Sequence, residues 1–174
     1  MTLENLTALF PDGPSDSQKE GIVTILKSCD RWKVILKNQR AYVLATAYHE
    51  SWHTMRGIDE VGHGKGRVYG NPDPITHQIY YGRGLCGLTW KNNYITFSKL
   101  LCEDFLNHPE LVNEEPWSSE ILVTGMQKGL FTGKKLSDYF SNFTTDYVEA
   151  RRIINRLDKA NEIASYAHEF YKNI

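Results

Sequence analysis

Apolar residues recur at helical spacing along most of this chain. Between Arg40 and His53, the residues Ala41, Leu44, Ala45, Tyr48 and Trp52 follow one another at i, i+3, i+4, i+7 and i+11, one face of an α-helix. Val43 and Ala47 lie roughly opposite, so this helix is apolar on two sides and is expected at the centre of the fold. Ahead of it, Ser17 with Glu20 reads as a capping box before Ile22, Val23, Ile25 and Leu26, which predicts a first helix. Further helices fit Tyr94–Leu106, Ser118–Lys128, Lys135–Phe140, Asp146–Arg156 and Lys159–Lys172, with Pro109 and Pro116 in the connections. One stretch breaks the pattern. Gly57, Gly62, Gly64, Gly66 and Gly70 interrupt helical order, and Val61, Val68, Tyr69, Ile79 and Tyr80 suit short strands. The fold expected is mainly α (α+β): a helical bundle with a small β-hairpin region between Glu60 and Tyr81 lining one side of a cleft.

Composition adds bounds to that picture. A chain of 174 residues, 41% hydrophobic and 24% charged, is long enough for a substantial core and short for two ordinary domains, so residues 1–174 read as one domain. A net charge of −1 gives no electrostatic argument for nucleic acid or another polyanion. Cys29, Cys86 and Cys102 are odd in number and show no Cys-x-x-Cys pairing, which reads as reduced thiols in a cytoplasmic product. The Met1–Phe10 segment is too short in apolar length for a signal peptide or a membrane span. No repeat, linker or low-complexity tract is visible.

The candidate chemistry lies between Tyr48 and Tyr94. Glu50 falls on the Val43–Ala47 row, one turn beyond Ala47, where burial favours a protonated carboxyl. Glu60 follows ten residues later in the Gly-rich loop, where solvent keeps a carboxylate ionised. Two carboxyl groups in contrasting environments are what glycosidic bond cleavage requires, one donating a proton to the leaving oxygen and the other activating water. Tyr80-Tyr81-Gly82-Arg83-Gly84, Trp90 and Tyr94 add aromatic residues and an arginine suited to a cleft wall, although each aromatic taken alone is more often core than sugar platform. A second motif overlaps the helix: His49-Glu50-Ser51-Trp52-His53 matches His-Glu-x-x-His, in which two histidines one turn apart hold zinc. Arg56 and Asp59 stand where the extended zinc motif needs Gly and His, leaving His63 or Glu60 as the third ligand.

The run from Ala41 to Tyr94 resembles the family 19 glycoside hydrolases, which include plant chitinases and many phage or prophage endolysins. The resemblance is carried by Ala47-Tyr48-His49-Glu50-Ser51, Tyr80-Tyr81-Gly82-Arg83-Gly84 and Leu88-Thr89-Trp90-Lys91-Asn92-Asn93-Tyr94. It continues at Phe131-Thr132-Gly133-Lys134-Lys135-Leu136 and Ala150-Arg151-Arg152-Ile153-Ile154-Asn155, and spans roughly residues 20–172. The lack of long insertions makes the chain similar to the compact phage type. What the resemblance implies is a lysozyme-like fold with no metal or cofactor, Glu50 as general acid and Glu60 as the base of an inverting displacement. It also implies Thr89 as a hydroxyl that helps hold the water, Asn155 as an amide that contacts sugar, and Tyr81, Arg83 and Trp90 in the cleft wall. Inversion requires the two carboxyl groups to stand roughly 6.5–9.5 Å apart, with room for water. One position departs from the family: Gly87 stands where members commonly carry a Gln that reaches substrate.

The expectation is therefore an endo-acting glycosidase on β-1,4-linked N-acetylated amino sugars, acting as a monomer without nucleic-acid or stable membrane association. Peptidoglycan is favoured over chitin by analogy with the phage type. Such an enzyme, made in the cytoplasm without a signal, would reach the cell wall by a separate release route. The alternatives are a chitinase, a non-catalytic glycan-binding homologue motivated by Gly87, and a zinc peptidase.

Overall fold

A computed structural model of the chain describes residues 3–174. Five α-helices are described: α1 (Asp16–Arg31), α2 (Lys37–Glu50), α3 (Lys91–Leu101), α4 (Trp117–Lys128) and α5 (Ala160–Asn173). Two short antiparallel strands, β1 (Ile58–Asp59) and β2 (Arg83–Gly84), pair Ile58 with Gly84 and Asp59 with Arg83. Short 3-10 turns at 109–113, 136–138 and 149–153 join the later helices.

Helix α2 is the axis of the fold. Every residue from Ala41 to Tyr48 is buried, as a helix apolar on all sides must be. It packs chiefly on α5, whose Ile163, Ala164, Ala167 and Phe170 form its buried stripe, and also meets α1 and α4. Helix α1 begins two residues ahead of its expected capping box. Ser15 is the N-cap, with its hydroxyl accepting from Gln18 N and the Gln18 side chain accepting from Ser15 N at 2.8 Å, while Glu20 pairs with Arg56 instead. The buried Glu120 in the first turn of α4 ties that helix to α1, accepting from Ser28 Oγ at 3.1 Å and from the Trp32 indole and lying 3.3 Å from Arg31. Acidic charge near a helix N-terminus also suits the helix dipole.

A second apolar cluster, built from Tyr80, Leu88, Tyr94, Phe97, Phe105, Val112 and Ile121, lies beside the first. Cys86 and Phe131 pack against both clusters and mark the seam between them.

The strands bracket the segment 60–82, rather than lying inside it as expected. Val61 and Val68 are 87% and 76% exposed, so neither has an apolar partner face to hold it in a sheet. Segments 135–140 and 146–156, expected as helices, contain only 3-10 turns. Helix α3 stops at Leu101, with Cys102 left-handed behind it.

Candidate active site

Glu50 is the last residue of α2, and its side chain is 23% exposed. It is not the lone buried carboxyl expected from the helix pattern. Its Oε1 accepts from Arg151 Nη1 at 2.5 Å, and that guanidinium is itself buried, with Nε donating to Asp158 O at 3.0 Å. Oε2 makes no hydrogen bond among the described residues, and Glu50 lines a pocket of about 610 Å³ with His49, Trp52, His53, Lys159 and Glu162. Burial lowers the His49 pKa, so that imidazole is neutral near pH 7.

Glu60 sits at the foot of the β1–β2 pair. Its N–H donates to Gly82 O at 2.8 Å, and its Oε2 accepts from Gly82 N at 3.1 Å, so both the backbone and the carboxylate are fixed by one residue. A Cβ at Gly82 would stand 2.7 Å from Glu60 Oε2 and 3.3 Å from Thr89 Oγ1. The carboxylate and the hydroxyl therefore converge on one point, which a Cβ at residue 82 would crowd. Thr89 Oγ1 donates to Gly87 O at 2.8 Å, which orients it. The Tyr69 ring stands beside them, its phenol pKa raised by burial and then by the Glu60 charge.

The hairpin 82–89 links the two carboxyl groups. Arg83 and Leu88 exchange two backbone hydrogen bonds, of 3.2 and 2.7 Å, closing a four-residue turn across the seam. Cys86 lies in that turn, its thiol pKa raised by burial and then by the Glu50 charge, so Glu50 approaches the turn from one side. Glu60 approaches from the Gly82–Thr89 side.

The other expected residues divide. Arg83 is buried: Nη1 donates to Ile79 O at 2.9 Å and Tyr94 Oη at 3.0 Å, and Nε lies 3.7 Å from Asp59 Oδ1. Its guanidinium lies 3.5 Å from the Tyr81 ring centroid, and His63 stacks on the same ring at 4.6 Å. Both faces of Tyr81 are taken, so Tyr81 and Arg83 are placed as braces of the wall and not as open sugar contacts. Trp90 is 51% exposed and meets Tyr69 edge to face at 5.2 Å, next to Glu60. Asn155 is exposed one turn beyond Arg151, its Oδ1 accepting from Arg156 N at 2.8 Å.

Gly87 has φ +61° and faces open space. The tight turn demands the left-handed conformation there, which is a backbone reason for glycine independent of any substrate contact.

The zinc reading loses its geometry. Helix α2 ends at Glu50, and Trp52 and His53 have φ of 53° and 69°, so His49 and His53 do not stand one turn apart on a helix face. The His53 ring is stacked on Tyr48 at 4.1 Å. No group of three or more potential ligands that could hold a metal ion occurs among the described residues.

Arg151, Tyr69 and the Trp52–Lys159 pocket were not singled out from sequence. Arg151 lies 101 residues from Glu50 in a 3-10 turn, where no periodicity signals a partner. Tyr69 could have been flagged by its place in the Gly-rich loop beside the candidate base.

No protein-family model and no curated protein matches the chain. Solved structures do resemble it. Chitinase C from Streptomyces griseus superposes with a TM-score of 0.64 at 20% identity, covering 98% of this chain and 73% of that one. A chitinase C mutant, a Glu-to-Gln variant, gives 0.63 at 20% identity, covering 97% and 73%. A bacterial family 19 chitinase gives 0.67 at 19% identity, covering 98% and 93%. The fold is that of the lysozyme-like family 19 chitinases.

Proposed function

We propose that the protein is a glycoside hydrolase cleaving β-1,4 bonds in polymers of N-acetylated amino sugars by single inverting displacement. The observation that supports the reading is that Glu50 and Glu60 both lie near the 82–89 hairpin, Glu50 by Cys86 and Glu60 by Gly82 and Thr89, in a chain with the fold of family 19 chitinases. Arg151 engages Glu50 Oε1 and leaves Oε2 to carry the proton to the leaving oxygen. Glu60, fixed by the Gly82 N–H, takes a proton from water as that water attacks the anomeric carbon, and Thr89 Oγ1 offers it a second contact. Glycosidic C–O cleavage and C–O formation from water occur together on opposite faces, so the new hydroxyl has the α configuration. Trp90 and Tyr69 present an aromatic edge beside Glu60 on which a sugar face can stack.

Peptidoglycan is our preferred polymer, with chitin the second reading favoured by the names of the structural neighbours. The protein works as a monomer on a polysaccharide substrate. Among the described residues, no helix is long and apolar enough to cross a membrane. Proton NMR during early hydrolysis of a chito-oligosaccharide or a soluble glycan strand tests the mechanism: α-anomeric product must appear first, and an initial β product would refute the single displacement.

A further inference from the structure

A pocket of about 390 Å³ opens directly on Glu60, lined by Glu60, Val61, Gly64, Lys65, Arg67 and Tyr69. The loop that builds it is wound by successive turns: His63 N donates to Glu60 O, Lys65 N to Gly62 O at 2.9 Å, Arg67 N to Gly64 O at 2.8 Å, and Gly70 N to Arg67 O. Gly64 and Gly70 touch backbone to backbone, since a Cβ at Gly70 would fall 1.9 Å from Gly64 O. That contact folds the loop back on itself and sets Tyr69 over Gly64. Lys65 and Arg67, two residues apart on this wound loop, both line the pocket. Neither forms an ion pair among the described residues, whereas Arg83, Lys91, Arg56 and Arg151 are each paired with a carboxylate. Two unneutralised cations beside one carboxylate leave the pocket net positive.

A neutral sugar offers such cations hydrogen-bond acceptors but no opposite charge. An arginine fork and a lysine ammonium side by side suit a carboxylate, which the guanidinium can grip with two parallel N–H bonds. We propose that Lys65 and Arg67 form an anion subsite that receives a carboxylate carried on a substituent of the sugar bound beside Glu60. The polymer selected is then an amino-sugar strand bearing lactyl ethers or peptide stems, as in peptidoglycan, in preference to chitin. This inference rests on the glycosidase reading of the site. Only the polymer choice depends on the two cations.

The test measures binding in the Glu50→Gln background, in which the assigned proton donor is removed and turnover is expected to be lost, at a temperature where that variant is folded. Calorimetry at low salt compares soluble peptide-bearing glycan strands, the same strands with their carboxylates converted to amides, and chito-oligosaccharides of equal length. The carboxylate strands are expected to bind about ten- to a hundredfold more tightly than the amidated ones. Lys65→Ala/Arg67→Ala should erase that ratio, and raised salt should shrink it because both cations are exposed. A preference that survives the double substitution, or an equal loss for all three ligands, would overturn the subsite. So would equal binding of all three ligands by the Glu50→Gln protein, a result that leaves the hydrolase reading standing. Failure of the unsubstituted protein to cleave any of the three ligands counts against the hydrolase reading, while the binding ratio still decides the role of Lys65 and Arg67.

Discussion

Gly82→Ala probes the site without replacing either carboxyl residue. The backbone at Gly82 lies outside the left-handed region, so alanine costs little conformationally. The added Cβ would nevertheless stand 2.7 Å from Glu60 Oε2, and reaching ordinary contact at 3.4 Å requires the oxygen to retreat by about 0.7 Å. Thr89 Oγ1, 3.3 Å from the same point, limits movement on the other side. The retreat stretches the 3.1 Å bond from Gly82 N and shifts the base relative to attacking water. Misplacement of a reacting group by about 1 Å can cost roughly 10²-fold in rate, so a drop in kcat of about 10- to 100-fold is expected. Stability should change by about 1 kcal/mol or less, because Glu60 lies at a partly open cleft edge and can move. Initial rates on chito-oligosaccharides and glycan strands, with thermal melting alongside, separate the two effects. A folded Gly82→Ala protein with unchanged kcat would refute the placement of Glu60 as the base.

Other consequences are equally open to measurement. Gly87→Gln should lower stability by about 1–2 kcal/mol through its left-handed backbone and bring no gain in efficiency, checked by denaturant melts and kinetics. Glu115 has both carboxylate oxygens buried without a hydrogen-bond partner, and burial raises its pKa more than nearby Ser119 draws it back. A carboxyl whose pKa is raised on folding destabilises above its ordinary range, so Glu115→Gln should stabilise by about 1 kcal/mol at pH 7. That gain should vanish as pH falls below about 4, where both folded and unfolded carboxyls are protonated. Exhaustive chelation should leave glycan cleavage intact and His53→Ala should reduce it only modestly, as befits a ring stacked on Tyr48; complete loss in both assays would restore the zinc reading.

The parts of the molecule legible in the sequence are those governed by local periodicity. Helix α2 and the place of Glu50 on it follow from apolar spacing, and α4 begins within one residue of its expected start. The end of α2 was not legible. The residues after Glu50 include no glycine or proline before Gly57, and the helix stops because Trp52 and His53 adopt left-handed angles that their side chains do not advertise. His-Glu-x-x-His looked helical for the same reason. The strands escaped notice because two residues each are too few to alternate, and pairing between Asp59 and Arg83 is a tertiary fact. Arg151 reaches Glu50 from a 3-10 turn at the far end of the chain, and such a partnership leaves no local trace. At Gly87 the family comparison notes a missing Gln, and the φ of +61° adds a turn requirement that the sequence does not display.

The most direct test is mass analysis of fragments released from purified peptidoglycan and from chitin oligomers by the unsubstituted protein, Glu50→Gln and Glu60→Gln. The substitutions preserve shape while removing the proton donor or the base, each of which contributes roughly 10²–10⁴ in rate. The account predicts glycosidic fragments from the unsubstituted protein and none above background from either variant, each assayed below its own melting temperature, since Glu50→Gln takes the carboxylate partner from buried Arg151 and melts lower. Undiminished fragment release by Glu50→Gln would contradict it.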